Sequence, residues 1–171
     1  MTERACPLLG AAALGAGIAL VGATIVARPL PRFVWNASAS APVGLYAVTT
    51  GAPLRAGDMV IARVPARYRI LAAKRHYLPA NVPLVKRVAA TSGGQVCALG
   101  PTLFLDGAWL ADRRRRDGAG RVMPWWEGCV RLGPGQIFLL MPGNPNSFDG
   151  RYFGPSDKVD IIGTAHLLWA R

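Results

Sequence analysis

The sequence predicts a mainly β fold, an antiparallel barrel-like or sandwiched domain behind a single N-terminal transmembrane helix. Three observations predict it. Residues 5–27 form an uncharged stretch 23 residues long. Beyond that stretch, short apolar runs alternate with glycine and proline breakers, and a single segment has helical character. With 171 residues, the chain is long enough for one domain with a core of its own. We therefore expect an anchor and linker over 1–32 and one β-rich domain over 33–171.

Within the first stretch, residues 8–27 are Leu, Ile, Val, Ala and Gly, with Thr24 the one polar side chain. About 20 apolar residues at a 1.5 Å rise cross a hydrocarbon core roughly 30 Å thick. A cleaved leader has a shorter apolar region and a small-residue cleavage site. Ile25-Val26-Ala27-Arg28-Pro29 offers no such site, so a retained anchor is expected. Arg4 precedes the stretch while Arg28 and Arg32 follow it, and the positive-inside count does not fix the topology.

The β-rich part opens with strand candidates at 44–48 and 59–64, separated by the breakers Gly51, Pro53 and Gly57. Residues 66–77 read as the helix, closed by Pro79. Residues 82–90 read as a strand, and 95–99 as another. The pair 103–105 and 108–110 reads as a hairpin around Asp106-Gly107. Arg113-Arg114-Arg115-Arg116, between Asp112 and Asp117-Gly118, reads as a solvated basic loop. Residues 137–141 and 159–169 supply the last strands.

Charge narrows the partners. The net charge is +11, which suits anionic surfaces such as lipid headgroups or nucleic acid. No aromatic interleaving marks a base-stacking surface, so lipid is the expected partner and direct nucleic-acid contact is not. Cys97 and Cys129 have no Cys or His partner at zinc spacing and read as one disulfide in an oxidising compartment, with two buried thiols as the alternative. The bridge would close an insertion of about 97–131 and favours a domain outside the cytoplasm.

Chemistry points to a lysine. Of twenty basic residues seventeen are Arg, yet Lys86 sits in the apolar run Val82-Pro83-Leu84-Val85-Lys86-Arg87-Val88. Strand alternation sets it on the face of Leu84 and Val88. Arginine cannot be deprotonated in a protein, whereas a desolvated lysine can lose its proton and act as a base. His76 and His166 stand in no Ser-His-Asp pattern. No His/Cys/Asp/Glu cluster suggests a metal, and no glycine-rich phosphate loop precedes a helix, so neither metal nor cofactor is expected. Ser–Lys nucleophilic chemistry remains.

Three segments, in order, carry a resemblance. Ser38-Ala39-Ser40-Ala41-Pro42-Val43-Gly44-Leu45-Tyr46, Pro83-Leu84-Val85-Lys86-Arg87-Val88-Ala89-Ala90 and Asn144-Pro145-Asn146-Ser147-Phe148-Asp149-Gly150-Arg151-Tyr152-Phe153-Gly154-Pro155 resemble those of the bacterial type I signal peptidases. The nearest branch is the conjugative-transfer TraF type. The resemblance implies a signal-peptidase-like β-domain and a serine endopeptidase of the inner membrane, its catalytic domain periplasmic. It implies that Ser40 is the nucleophile and Lys86 the general base. It implies further that Ser38 and the Ser40 backbone form the oxyanion hole, that Ser147 orients the lysine amine, and that Asp149 and Arg151 form a supporting ion pair. Expected substrates are exported preproteins cut after Ala-x-Ala-type sites. A conjugative pilin subunit, processed or cyclised, is one such candidate. Ala41 replaces the usual Met beside the nucleophile, Gly93-Gly94-Gln95 replaces the usual Gly-Asp turn, and Gly143-Asn144-Pro145 replaces Gly-Asp-Asn. The competing reading is a non-catalytic, basic, membrane-anchored component of a DNA-transfer channel.

Overall fold

The computed structural model describes residues 7–27 and 30–171, so Arg4, Cys6 and Arg28 lie outside the described residues. Two compact units result, Met1–Pro31 and Arg32–Arg171. In the first, α1 (Pro7–Ala27) is 21 residues long and bears no acidic residue in its first turn and no basic one in its last. Side chains are described only over 10–24, about 22 Å of helix against the roughly 30 Å of a bilayer core. Among the described residues, no helix is long and apolar enough to cross a membrane. The transmembrane expectation is therefore not carried by the described structure.

The second unit is built from two antiparallel sheets. The larger contains β1 (Phe33–Asn36), β2 (Gly44–Thr49), β3 (Met59–Ala62), β4 (Leu84–Ala90), β9 (Gln136–Leu140), β10 (Ser156–Asp157) and β11 (Ile161–Ala170). Their order is β1-β2-β11-β3-β4-β9-β10, an open sheet with β1 and β10 at its edges rather than a closed barrel. The smaller contains β5 (Gln95–Leu99), β6 (Thr102–Leu105), β7 (Ala108–Asp112) and β8 (Gly128–Arg131), in the order β7-β6-β5-β8. Cys97 and Cys129 face each other across β5 and β8 and form a disulfide.

Burial explains the arrangement. On β9, Ile137 and Leu139 enter one core with Val60, Leu84, Val88 and Phe153, while Phe138 and Leu140 enter a second with Val96, Ala98 and Leu103. This strand is buried on both faces, so it reads as a continuous apolar run instead of an alternating one. Truncating Leu139, which is fully buried, costs about 2–5 kcal/mol in lost transfer energy and cavity formation. At the other side of the larger sheet, β1 and the end of β11 leave Phe33, Trp35, Leu168 and Trp169 exposed, with the two tryptophan rings 5.7 Å apart.

Local chemistry sets several boundaries differently from expectation. Helix α2 (Ala66–Lys74) stops before Tyr77 because Arg75 is its C-cap and His76 is left-handed, with φ 58°. The Asp106-Gly107 turn has φ of 49° and 85°, the paired positive values that a two-residue hairpin needs. Strand β1, strand β8 and the four-residue α3 (Gly150–Phe153) were not anticipated from the sequence. The basic block is not wholly solvated either. Arg113 is buried, its guanidinium 3.5 Å from the Trp125 ring centroid, and it donates to the carbonyls of Gly100 and Trp126. Stacking on an aromatic face and full hydrogen bonding offset the desolvation of that charge.

Candidate active site

Ser40 lies in the turn between β1 and β2, and one side chain holds that turn. Asn36, buried at the end of β1, donates through Nδ2 to the carbonyls of Ser38 (2.9 Å), Ala41 (3.1 Å) and Pro42 (3.0 Å). Its Oδ1 accepts from the Ser38 N–H at 3.1 Å. An amide is suited to this task because it both donates and accepts. Sequence reading passed over Asn36, although Asn two residues before Ser is the pattern of an Asx turn. Tyr46 adds a further tie, its hydroxyl donating to the Pro42 carbonyl at 2.8 Å.

Lys86 comes from the middle of β4, paired with Val60 on β3. Its side chain is buried, 3% exposed, and Nζ lies 2.7 Å from Ser40 Oγ. Desolvation lowers its pKa from 10.5 to about 8, against the opposing pull of the Asp149 carboxylate. Ser38 Oγ lies 3.0 Å from Ser40 Oγ and accepts from the Ser40 backbone N–H at 3.3 Å. These three groups face a cavity of about 150 Å³, walled by Val64, Tyr77, Leu84, Asn146 and Phe148.

Asp149 and Arg151 are both buried and form a two-point ion pair, Nε to Oδ1 and Nη2 to Oδ2, each at 2.9 Å. The Arg151 Nη2 also donates to the carbonyls of Met141 (2.7 Å) and Asn144 (2.8 Å), and Asp149 Oδ2 accepts from the Met141 N–H. With its remaining polar sites filled, such a pair fixes geometry more than it adds stability. It does so here by pinning the 141–144 loop, whose Asn144 donates to the Ala39 carbonyl beside Ser40 at 3.2 Å. Gly150 permits this packing, since a Cβ there would meet the Leu139 carbonyl oxygen at 2.7 Å.

Ser147 departs from expectation. It is buried and borders the same cavity, but its Oγ has no hydrogen-bond partner, and the amine's contact goes to Ser40 instead. The orienting bond to Lys86 is therefore missing from this geometry. Among the described residues, no group of three or more His, Cys, Asp or Glu could hold a metal ion.

A family model described as Signal peptidase, peptidase S26, matches residues 7–170. The chain belongs to the S26 signal peptidase family. This is the family read from the three sequence segments, and the signal peptidase assignment makes the protein a peptidase. Similar proteins include a plasmid transfer protein TraF of Escherichia coli, 31% identical over 158 residues, covering 86% of each chain. A probable conjugal transfer protein TraF of Sinorhizobium fredii is 33% identical over 168 residues, covering 92% of this chain and 86% of that one. Among solved structures, a signal peptidase I of Enterococcus faecalis is 17% identical, with a TM-score of 0.38, covering 66% of this chain and 97% of that one.

Proposed function

We propose that this signal peptidase is a membrane-anchored serine endopeptidase using Ser40 and Lys86 as a catalytic dyad. The 2.7 Å contact between Ser40 Oγ and the buried Lys86 amine carries the reading. A neutral amine accepts the Ser40 hydroxyl proton as Oγ attacks the scissile carbonyl carbon. When substrate enters, its carbonyl oxygen replaces Ser38 Oγ as the acceptor of the Ser40 N–H, and the Ser38 O–H donates to the same oxyanion. The ammonium then returns the proton to the leaving amine as the C–N bond breaks. Water, deprotonated by Lys86, resolves the acyl-enzyme. A substrate's own amine in place of water gives a cyclic product.

In this reading α1 is the anchor in a bacterial inner membrane, the β-domain is periplasmic, and the substrates are exported preproteins. The conjugal and plasmid transfer names of the relatives favour a transfer-system substrate such as a pilin subunit. The test is incubation of wild type, Ser40→Ala and Lys86→Ala with candidate preproteins, read by mass spectrometry. Cleavage is expected from the wild type alone. Equal processing by either variant would place the chemistry elsewhere, and a wild-type chain that retains nucleic acid but cleaves nothing would favour the DNA-channel role.

A further inference from the structure

The arginine block and the segment after it do not project away from the cavity; each touches a residue that lines it. Tyr77 lines the cavity, and its hydroxyl donates to Asp117 Oδ2. The Asp117 side chain is 7% exposed. It accepts further bonds from the backbone N–H groups of Ala119 (2.9 Å) and Arg121 (2.8 Å), and pairs with the Arg121 guanidinium at 2.7 Å. Arg121 also donates to the Arg75 carbonyl, and Arg75 donates to the Val122 carbonyl. The segment is thus clasped to the end of α2. The Tyr77 ring packs on Phe148, another wall residue, with centroids 5.0 Å apart. Within the arginine block itself, Arg114 donates to Oδ1 of Asn146, a further wall residue, at 2.8 Å.

We propose that the Asp117–Tyr77 contact sets the width of this cavity and makes Asp117 a positioning residue for substrate size. The inference rests on the peptidase reading above. A tyrosine held only by ring contacts can swing outward to admit a larger side chain. One whose hydroxyl is fixed by a charged acceptor cannot, and a wall that does not yield rejects extra methylene groups. Hydrogen bonding, first that from Tyr77, holds the Asp117 carboxyl well below its ordinary range, while burial and that same bond raise the Tyr77 hydroxyl. Acceptor and donor therefore keep their roles across the neutral pH range.

The test uses the full chain in detergent and fluorogenic peptides carrying Ala or Val at the first or third position before the scissile bond. Asp117→Ala and Tyr77→Phe each remove the contact from one end, and the phenylalanine keeps the bulk of the wall. The Ala-over-Val ratio of kcat/KM should fall about tenfold at one of the two positions in each variant, and no further in the double variant. Unchanged ratios at both positions would overturn the proposal. So would an equal loss of rate on all peptides, which is what a merely structural role produces. Fluorophosphonate labelling of Ser40 in the wild type separates the two levels. No labelling and no cleavage would remove the dyad and this proposal together, whereas labelling with unchanged ratios removes this proposal alone.

Discussion

At the Lys86 amine, burial strips away the water that stabilises an ammonium ion, and the pKa falls from 10.5 to about 8. At pH 7 about a tenth of molecules then hold a neutral amine, against roughly one in three thousand for an ordinary lysine. We expect kcat/KM to rise with pH and level off above about 8. A profile flat from pH 6 to 9 would argue against Lys86 as the base. Lys86→Arg should be inactive, because its added charge cannot be lost. The same burial costs stability. The folded pKa lies below the unfolded one, so between about 8 and 10.5 the unfolded chain holds a proton that the folded chain has lost. Stability therefore rises with pH across that window. Lys86→Met should stabilise the fold by about 3 kcal/mol at pH 7, with the gain shrinking towards pH 10.5, as urea denaturation at several pH values can check. Asn36 is the second residue to watch. Asn36→Ala leaves several backbone groups around Ser40 unpaired and should cost about 1–3 kcal/mol. A displacement of Ser40 near 1 Å would also lower kcat about a hundredfold. Asn36→Asp should be no better, because a carboxylate has nothing to donate to three carbonyls. A fully active Asn36→Ala enzyme would mean that the turn holds itself.

Among the elements, the strands easiest to read in the sequence are those with strong turn signals or long apolar runs, such as β4, β9 and the β6–β7 hairpin. Lys86 stood out because an ionisable group in an apolar strand contradicts its surroundings. Ser40 and Asp149 stood out through their neighbours in sequence. What escaped was short or depended on distant partners. Strand β1 has four residues and is ordered by pairing with β2, and α3 is a single turn seated on β9 through Gly150. Asp117 acts on Tyr77, brought near by folding, whereas Asn36 acts on its own turn through a local pattern that was passed over. Charge patterning does not reveal a buried Arg113 stacked on Trp125. The disulfide belongs to this scale. Cys97 and Cys129, 32 residues apart, join the facing strands β5 and β8. Closing a loop of that length is worth about 3–4 kcal/mol through the unfolded state. The Cys97→Ser, Cys129→Ser double variant should therefore have a lower Tm and become open to trypsin within 113–121, while unchanged Tm and protease resistance would show that the smaller sheet holds without its bridge.

For the molecule as a whole, the chain carries a net charge of +11, and its β-rich unit exposes Phe33, Trp35, Leu168 and Trp169. Tryptophans of this kind settle at the level of lipid headgroups, and basic residues are drawn to anionic ones. Vesicles containing phosphatidylglycerol should shift the tryptophan emission to the blue, and added salt should weaken the binding. Neutral vesicles binding equally well would remove the electrostatic part. The order of strands has one more consequence, and it concerns biosynthesis. Strand β11 lies between β2 and β3, pairing with both, although over a hundred residues separate its start from the end of β2. While the chain is being made, the strand that follows Ser40 has only β1 beside it, and the sheet that brings Lys86 to Ser40 lacks its middle. Long-range pairing of this sort is slow and is completed last. On the Ser–Lys reading proposed above, the newborn protein thus carries Ser40 and Lys86 for most of its synthesis without bringing them together, and it becomes active only when residues 161–170 have arrived. A chain ended at residue 160 should bind no serine-directed probe, however intact its three motifs.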